Sequence, residues 1–238
     1  MELKDKVAVV TGAGRGIGKA IALKLAEAGA NVVVSARTKS EIESVAKQIE
    51  KMGRKSIAVQ ADVSQESDVK KLIFIAADKF GTVDILINNA GVGSFAPVAE
   101  LSVTEFDTMW NVNMRGVFLC TQTVLPHMMK QKSGDIVNIA SLAGRNAFVG
   151  GAGYGATKWA LIGFGRSLML EVRKNNIRVI TICPGSVDTE FDPHSTKPKD
   201  TSRIPKADDI AQVVVDALQM PRHVMVSEID IRPTNPNW

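Results

Sequence analysis

Short, continuous apolar runs alternate along this chain with longer stretches of helical period. Val7-Ala8-Val9-Val10-Thr11 is apolar without alternation, as expected of a central parallel strand covered on both faces. Helical period follows over residues 16–28 and stops at Gly29. Residues 31–35 read as a second strand. Thr38, with Glu41 three residues later, forms a capping box that opens a helix reaching Met52-Gly53. A strand over 56–60, a helix over 65–81 and a strand over 83–88 follow.

A second capping box, Ser102 with Glu105, starts a long helical region that extends to Lys130. Residues 135–140 predict a fifth strand, 153–174 a helix, 178–183 a strand, 208–218 a helix and 224–231 a last strand. There is no linker-like break and no internal repeat. This alternation predicts a single-domain α/β protein, a doubly wound parallel sheet with helices on both faces.

Composition agrees and narrows the function. The 238 residues are 45% hydrophobic, with 29 Lys and Arg against 25 Asp and Glu. Such a chain is globular and large enough to need no disulfide or metal staple. Cys120 and Cys183 sit inside apolar runs and read as small buried hydrophobes. His127, His194 and His223 are too scattered for a metal site. No apolar stretch is long enough for a membrane span, and the first residues lack a signal peptide's apolar core. A cytoplasmic protein is expected, with no membrane partner. The pI of about 9.1 raises nucleic acid, but basic and acidic residues are interleaved and form no basic ribbon. Nucleic acid is therefore not expected as a partner.

Thr11-Gly12-Ala13-Gly14-Arg15-Gly16-Ile17-Gly18 joins the first strand to its helix. Glycines there let the backbone turn tightly and approach a pyrophosphate lying on a helix N-terminus. Gly18 also permits close packing of helix on strand. A turn in this position predicts a Rossmann-type dinucleotide site. The end of the second strand reads Ser35-Ala36-Arg37-Thr38-Lys39, with no acid to bind a ribose 2′-hydroxyl. Arg37, with Arg15 in reach, suits a 2′-phosphate instead, so NADP(H) is favoured over NAD(H).

Further motifs occur in a fixed order. Asp62-Val63 follows the third strand and Asn88-Asn89-Ala90-Gly91 the fourth. Asn113 lies in the long helical region, and Ser141 ends the fifth strand. Tyr154-Gly155-Ala156-Thr157-Lys158 supplies Tyr-x-x-x-Lys, and Pro184-Gly185 precedes Thr189. With the glycine turn, these residues resemble the short-chain dehydrogenase/reductase family over essentially the whole chain. The resemblance implies a cofactor half of about 1–140 and a catalytic and substrate half of about 141–238. It implies a pyrophosphate cradle at Gly12, Gly16, Ile17 and Gly18, and an adenine contact at Asp62, next to Val63. Asn89, Ala90 and Gly91 would line the nicotinamide ribose. Thr189 would take the carboxamide, near Pro184, Gly185 and Val187.

The same resemblance makes Asn113, Ser141, Tyr154 and Lys158 the catalytic set. Tyr154 and Lys158, four apart, project from one helix face. Tyr154, the single tyrosine of the chain, would act as general acid/base, with Lys158 also bonding the nicotinamide ribose. Bringing a phenol from ~10 to near neutrality needs about 4 kcal/mol of differential stabilisation. Ser141 would hold the substrate oxygen and Asn113 a proton-relay water. The reaction implied is hydride transfer between the nicotinamide and a carbonyl or secondary alcohol.

Phe95, Leu142, Phe148, Val149 and Gly151 flank this set and read either as pocket lining or as ordinary packing. Arg145 reads as a binder of a substrate carboxylate or phosphate, or as a solvated loop cation. The polar stretch from Glu190 to Pro205 reads as a flap over an open site. The helices bearing Trp110, Phe118, Trp159 and Phe164 are apolar on more than one face, which predicts a homodimer or homotetramer. A 3-oxoacyl-thioester reductase acting on acyl carrier protein is the alternative, with Lys130 and Arg173-Lys174 as docking cations. The ending Ile231-Arg232-Pro233-Thr234 lacks that branch's Gly-Gly segment. A non-catalytic NADPH-binding regulator is the alternative of another class, but such a protein is expected to lose the Tyr, Lys or Ser.

Overall fold

The computed structural model describes residues 3–191 and 203–234. Seven strands form one parallel sheet: β1 (Val7–Thr11), β2 (Asn31–Ala36), β3 (Ser56–Gln60), β4 (Ile85–Asn88), β5 (Gly134–Ile139), β6 (Ile177–Pro184) and β7 (Glu228–Ile231). Their spatial order is β3-β2-β1-β4-β5-β6-β7. The order reverses between β1 and β4, which opens a crevice at the carboxyl ends of those strands. The doubly wound sheet expected from the alternating pattern is therefore present.

Helices cover both faces. On one side α1 (Gly16–Glu27), α2 (Lys39–Lys51) and α7 (Ala207–Gln219) bury Ile21, Leu25, Ile42, Ile49, Ile210 and Leu218 against Val10, Val34 and Ile180. On the other, α3 (Glu66–Phe80) and α5 (Gly116–Gln131) pack Leu72, Val124 and Met128 on Val9, Leu86 and Ile136. The 21-residue α6 (Ala152–Val172) lies on the same side and contacts β6. Strands apolar at every position are what a sheet buried on both faces requires.

Three expectations change in detail, and a fourth falls outside the described residues. The long helical region is broken. Helix α4 (Val103–Trp110) passes into a π-helical turn over Asn111–Arg115 before α5 resumes. The Ser102–Glu105 capping box forms, whereas Thr38 makes no side-chain cap bond. The last strand begins at Glu228 rather than 224, because the chain still turns there, with Val224 N–H donating to the Pro221 carbonyl. Residues 192–202 of the expected flap, with His194, lie outside the described residues.

Candidate active site

The glycine-rich turn and the loop after β4 are tied together by Thr11. Its hydroxyl donates to the Ile87 carbonyl at 3.1 Å and accepts from the amides of Asn89 (3.0 Å) and Ala90 (3.1 Å). The Asn89 side chain answers with bonds to the carbonyls of Thr11 (2.9 Å) and Gly12 (3.2 Å). Gly12 has φ +64°, and a Cβ there would stand 2.9 Å from both Ala90 Cα and Asn89 Nδ2. A Cβ on Gly18 would overlap the Gly12 carbonyl. Helix α1 starts here without a side-chain cap and without an acid in its first turn. A glycine cradle over an uncapped positive helix end fits a pyrophosphate. Gly16 faces Thr189, whose Cγ2 would be 3.6 Å from a Cβ at that glycine.

Arg15 and Arg37 are both exposed at this crevice, and Arg15 lies 3.7 Å from the carboxylate of Glu190. The Gln60 amide fixes the Arg37 carbonyl at 2.8 Å. Glu41, counted in sequence as a capping partner, instead packs on the glycine turn: a Cβ on Gly14 would be 2.9 Å from Glu41 Cβ and would overlap its carboxylate. Pattern alone could not place it there, because α2 folds back over the turn. Asp62 accepts from the amide (2.9 Å) and hydroxyl (2.7 Å) of Ser64. Val63 packs under Gly116, where a Cβ would come within 2.8 Å of it.

Ser141, Tyr154, Lys158 and Asn113 converge across β5, α6 and the π turn. Ser141 follows β5 in extended conformation and caps a 3₁₀ turn over Leu142–Gly144, accepting from the Ala143 amide at 3.1 Å. Gly144 lets that turn touch α6, since a Cβ there would be 2.7 Å from the Lys158 carbonyl oxygen. The Ser141 hydroxyl donates to the Pro184 carbonyl at 3.4 Å. Tyr154 is only 7% exposed and Lys158 5%. Burial pushes the phenol up to about 12, an effect the nearby Ser141 side chain opposes. Burial also pushes the Lys158 ammonium down to about 8. Both effects disfavour charge in a dry site.

Lys158 Nζ donates to the Ile139 carbonyl at 3.0 Å. A Cβ on Gly91 would be 3.8 Å from it and 3.5 Å from Asn113 Oδ1. Asn113 is clamped: Oδ1 accepts from the Val92 amide (2.9 Å), and Nδ2 donates to the Val92 carbonyl (2.9 Å) and to Thr157 Oγ1 (3.0 Å). Thr157 in turn donates to the Tyr154 carbonyl at 2.8 Å. A π turn is a frequent way to aim one side chain out of helical register. The sequence reading passed over Thr157, whose position inside the Tyr-x-x-x-Lys motif was its only signal.

Pro184 ends β6, and the Gly185 amide donates to the Ile231 carbonyl at 2.8 Å. Val187 packs on the core below the glycine turn. Arg145, read in sequence as a substrate-anion binder or a solvated loop cation, is instead paired with Glu228 and Asp230 of β7. Its guanidinium is held by these carboxylates because the 3₁₀ turn delivers it to that sheet edge.

A model of the family described as short chain dehydrogenase matches residues 6–200. The chain belongs to the short-chain dehydrogenase family. It is an oxidoreductase of that family, and its sheet is the Rossmann-like one. An uncharacterized oxidoreductase of Staphylococcus aureus (strain USA300) is 41% identical over 231 residues, 97% of this chain and 98% of that one. An alcohol dehydrogenase from the archaeon Thermococcus sibiricus, complexed with 5-hydroxy-NADP, superimposes with a TM-score of 0.91. The two are 32% identical, and the match covers 99% of this chain and 100% of the other. A 3-ketoacyl-(acyl-carrier-protein) reductase from Brucella melitensis, complexed with NADH, gives 0.91 and 32% with 98% of each chain covered. In this short-chain dehydrogenase, Thr11, Gly12, Asn89 and Ala90 are joined at one end of the sheet, and Gly91 stands next to Asn113 and Lys158.

Proposed function

We propose that the chain is an NADP(H)-dependent dehydrogenase/reductase that interconverts a carbonyl and a secondary alcohol, with Tyr154 as general acid/base. The observation that carries this reading is buried Lys158 Nζ 5.6 Å from the ring centre of buried Tyr154, on the helix against which the Ser141 turn packs. The turn after β4 links that trio to the glycine cradle.

Gly12, Gly16, Ile17 and Gly18 would hold the pyrophosphate, and Asp62-Val63 the adenine. Asn89, Ala90, Gly91 and Lys158 would hold the nicotinamide ribose. Pro184, Gly185, Val187 and Thr189 would bound the nicotinamide. Arg37 and Arg15 are the cations available to a 2′-phosphate, which supports NADP(H) over NAD(H). When bound, the cofactor supplies or accepts hydride.

Tyr154 would give its proton to the carbonyl oxygen in reduction and take it back in oxidation, while Ser141 hydrogen-bonds the same oxygen. A phenol held near 12 is neutral at pH 7, the state a general acid needs. Lys158, buried beneath, favours the phenolate as the proton leaves. Asn113 and Thr157 fix the α6 turn that carries Tyr154. Half-exposed Phe118, Trp159 and Leu170 on α5 and α6 support a homodimer or homotetramer. The test is NADPH absorbance against a panel of ketones, run in parallel with NADH. Ketone-dependent loss of NADPH is the expected result, and its absence with both cofactors refutes the proposal.

A further inference from the structure

We propose that the pocket over Tyr154 is built for an uncharged, ring-bearing ketone or its alcohol and rejects carboxylate-bearing substrates. The inference rests on the oxidoreductase reading above and goes on to name its substrate class.

Two phenylalanines from different loops pack on the one tyrosine, and a third packs on one of them. Phe95 meets the Tyr154 ring edge-on, with centroids 5.2 Å apart and planes at 67°. Phe191, after β6, approaches to 5.8 Å, and Phe148, before α6, stands 6.0 Å from Phe95. The loops leave room for these rings by using glycine. A Cβ on Gly93 would be 2.9 Å from Phe191 and 3.1 Å from Phe95, and one on Gly151 would overlap the Phe148 ring. Yet the three phenylalanines remain 40–47% exposed. Apolar faces left open beside a reactive hydroxyl are the kind that a ligand ring covers with edge-to-face contacts.

Charge points the same way. Arg145, the nearest cation on the Ser141 turn, is held by Glu228 and, at 3.2 Å, by Asp230. Arg166 takes the other Glu228 oxygen at 2.6 Å, so the cluster is internally satisfied. Lys158 is buried behind Tyr154 and bonded to the Ile139 carbonyl. Arg15 lies 3.7 Å from the carboxylate of Glu190, the residue before Phe191. A carboxylate entering here would lose water against the phenyl rings while Arg145 and Lys158 are already bonded elsewhere, which is costly.

Matched substrates test this on the intact enzyme with NADPH. Ethyl benzoylacetate and free benzoylacetate differ only in the carboxylate. Ethyl acetoacetate lacks the ring, and acetoacetyl-CoA represents acyl thioesters. The ring ester is expected to exceed the free acid by at least about 30-fold in kcat/KM, and ethyl acetoacetate by about tenfold. Phe95→Ala and, independently, Phe191→Ala should shrink the ring preference towards unity while leaving the ester-to-acid ratio high. A preference for the free acid or for the thioester overturns the inference and leaves the oxidoreductase reading standing. Equal loss on ringed and ringless esters in both variants also overturns it. No turnover of any substrate, with NADPH or NADH, refutes both.

Discussion

Lys158 Nζ lies 5.6 Å from the centre of the Tyr154 ring and bonds the Ile139 carbonyl, so the lysine joins β5 to α6 beside the proposed acid/base. A lysine in that position is not there for stability. Its charge is desolvated, and its pKa stands at about 8 rather than near 10.5.

Lys158→Met should therefore stabilise the folded protein while removing activity. Below pH 8 the wild type bears the full penalty of burying the ammonium. The penalty fades between 8 and 10.5, where the folded lysine is already neutral and the unfolded one is still charged. Thermal denaturation should show the variant ahead by about 1–3 kcal/mol at pH 7, with the gap closing as pH rises towards 10. A variant less stable than wild type at pH 7 would contradict this.

The Arg145 pairing predicts the opposite pH dependence. Arg166, and with it Arg145, holds the Glu228 carboxyl down at about 2. That stabilisation is present above the ordinary value of 4.5 and is lost as pH falls towards 2. Arg145→Ala should cost about 1–2 kcal/mol at pH 7, and the difference should vanish in acid. Urea denaturation at pH 7 and at pH 2 measures both ends.

Arg37→Ala should weaken NADPH binding by about 10–100-fold, the worth of a charge-assisted hydrogen bond, and leave NADH within about twofold. Titration calorimetry with both cofactors reads the ratio directly. An equal effect on both would remove the 2′-phosphate from the account.

Much of the fold was legible because it rests on strong periodic signals. The central strands could be read from their apolar runs, since a strand covered on both faces has no polar alternation to confuse it, whereas β7, an alternating Glu-Ile-Asp-Ile, begins four residues after the point its pattern suggests. The π turn was not legible. Asn111–Arg115 keeps helical composition, and only the clamp of Asn113 on Val92 and Thr157 reveals the break. Glu41 was misplaced for a related reason, because its three-residue spacing from Thr38 is a local cue and α2 docks on the glycine turn by tertiary packing. Phe191 was read as part of a polar flap, though its ring packs on Tyr154. The members of the candidate site were visible as motifs. The contacts that hold them were not, because they join residues 20 to 80 positions apart.

An oligomer is the simplest fate of the open groove between α5 and α6, which is lined by Phe118, Leu125, Met129, Phe164 and Leu168. Phe118→Glu combined with Trp159→Glu should shift the protein to monomer in light scattering. A wild-type monomer at micromolar concentration would contradict the proposed assembly.

The most direct test is Tyr154→Phe, which removes one oxygen from a residue whose ring is already held by Phe95 and Phe191. Turnover should fall by at least about 10²–10⁴-fold while NADPH binds with unchanged affinity. Retention of near-wild-type turnover would contradict the assignment of Tyr154 as the acid/base.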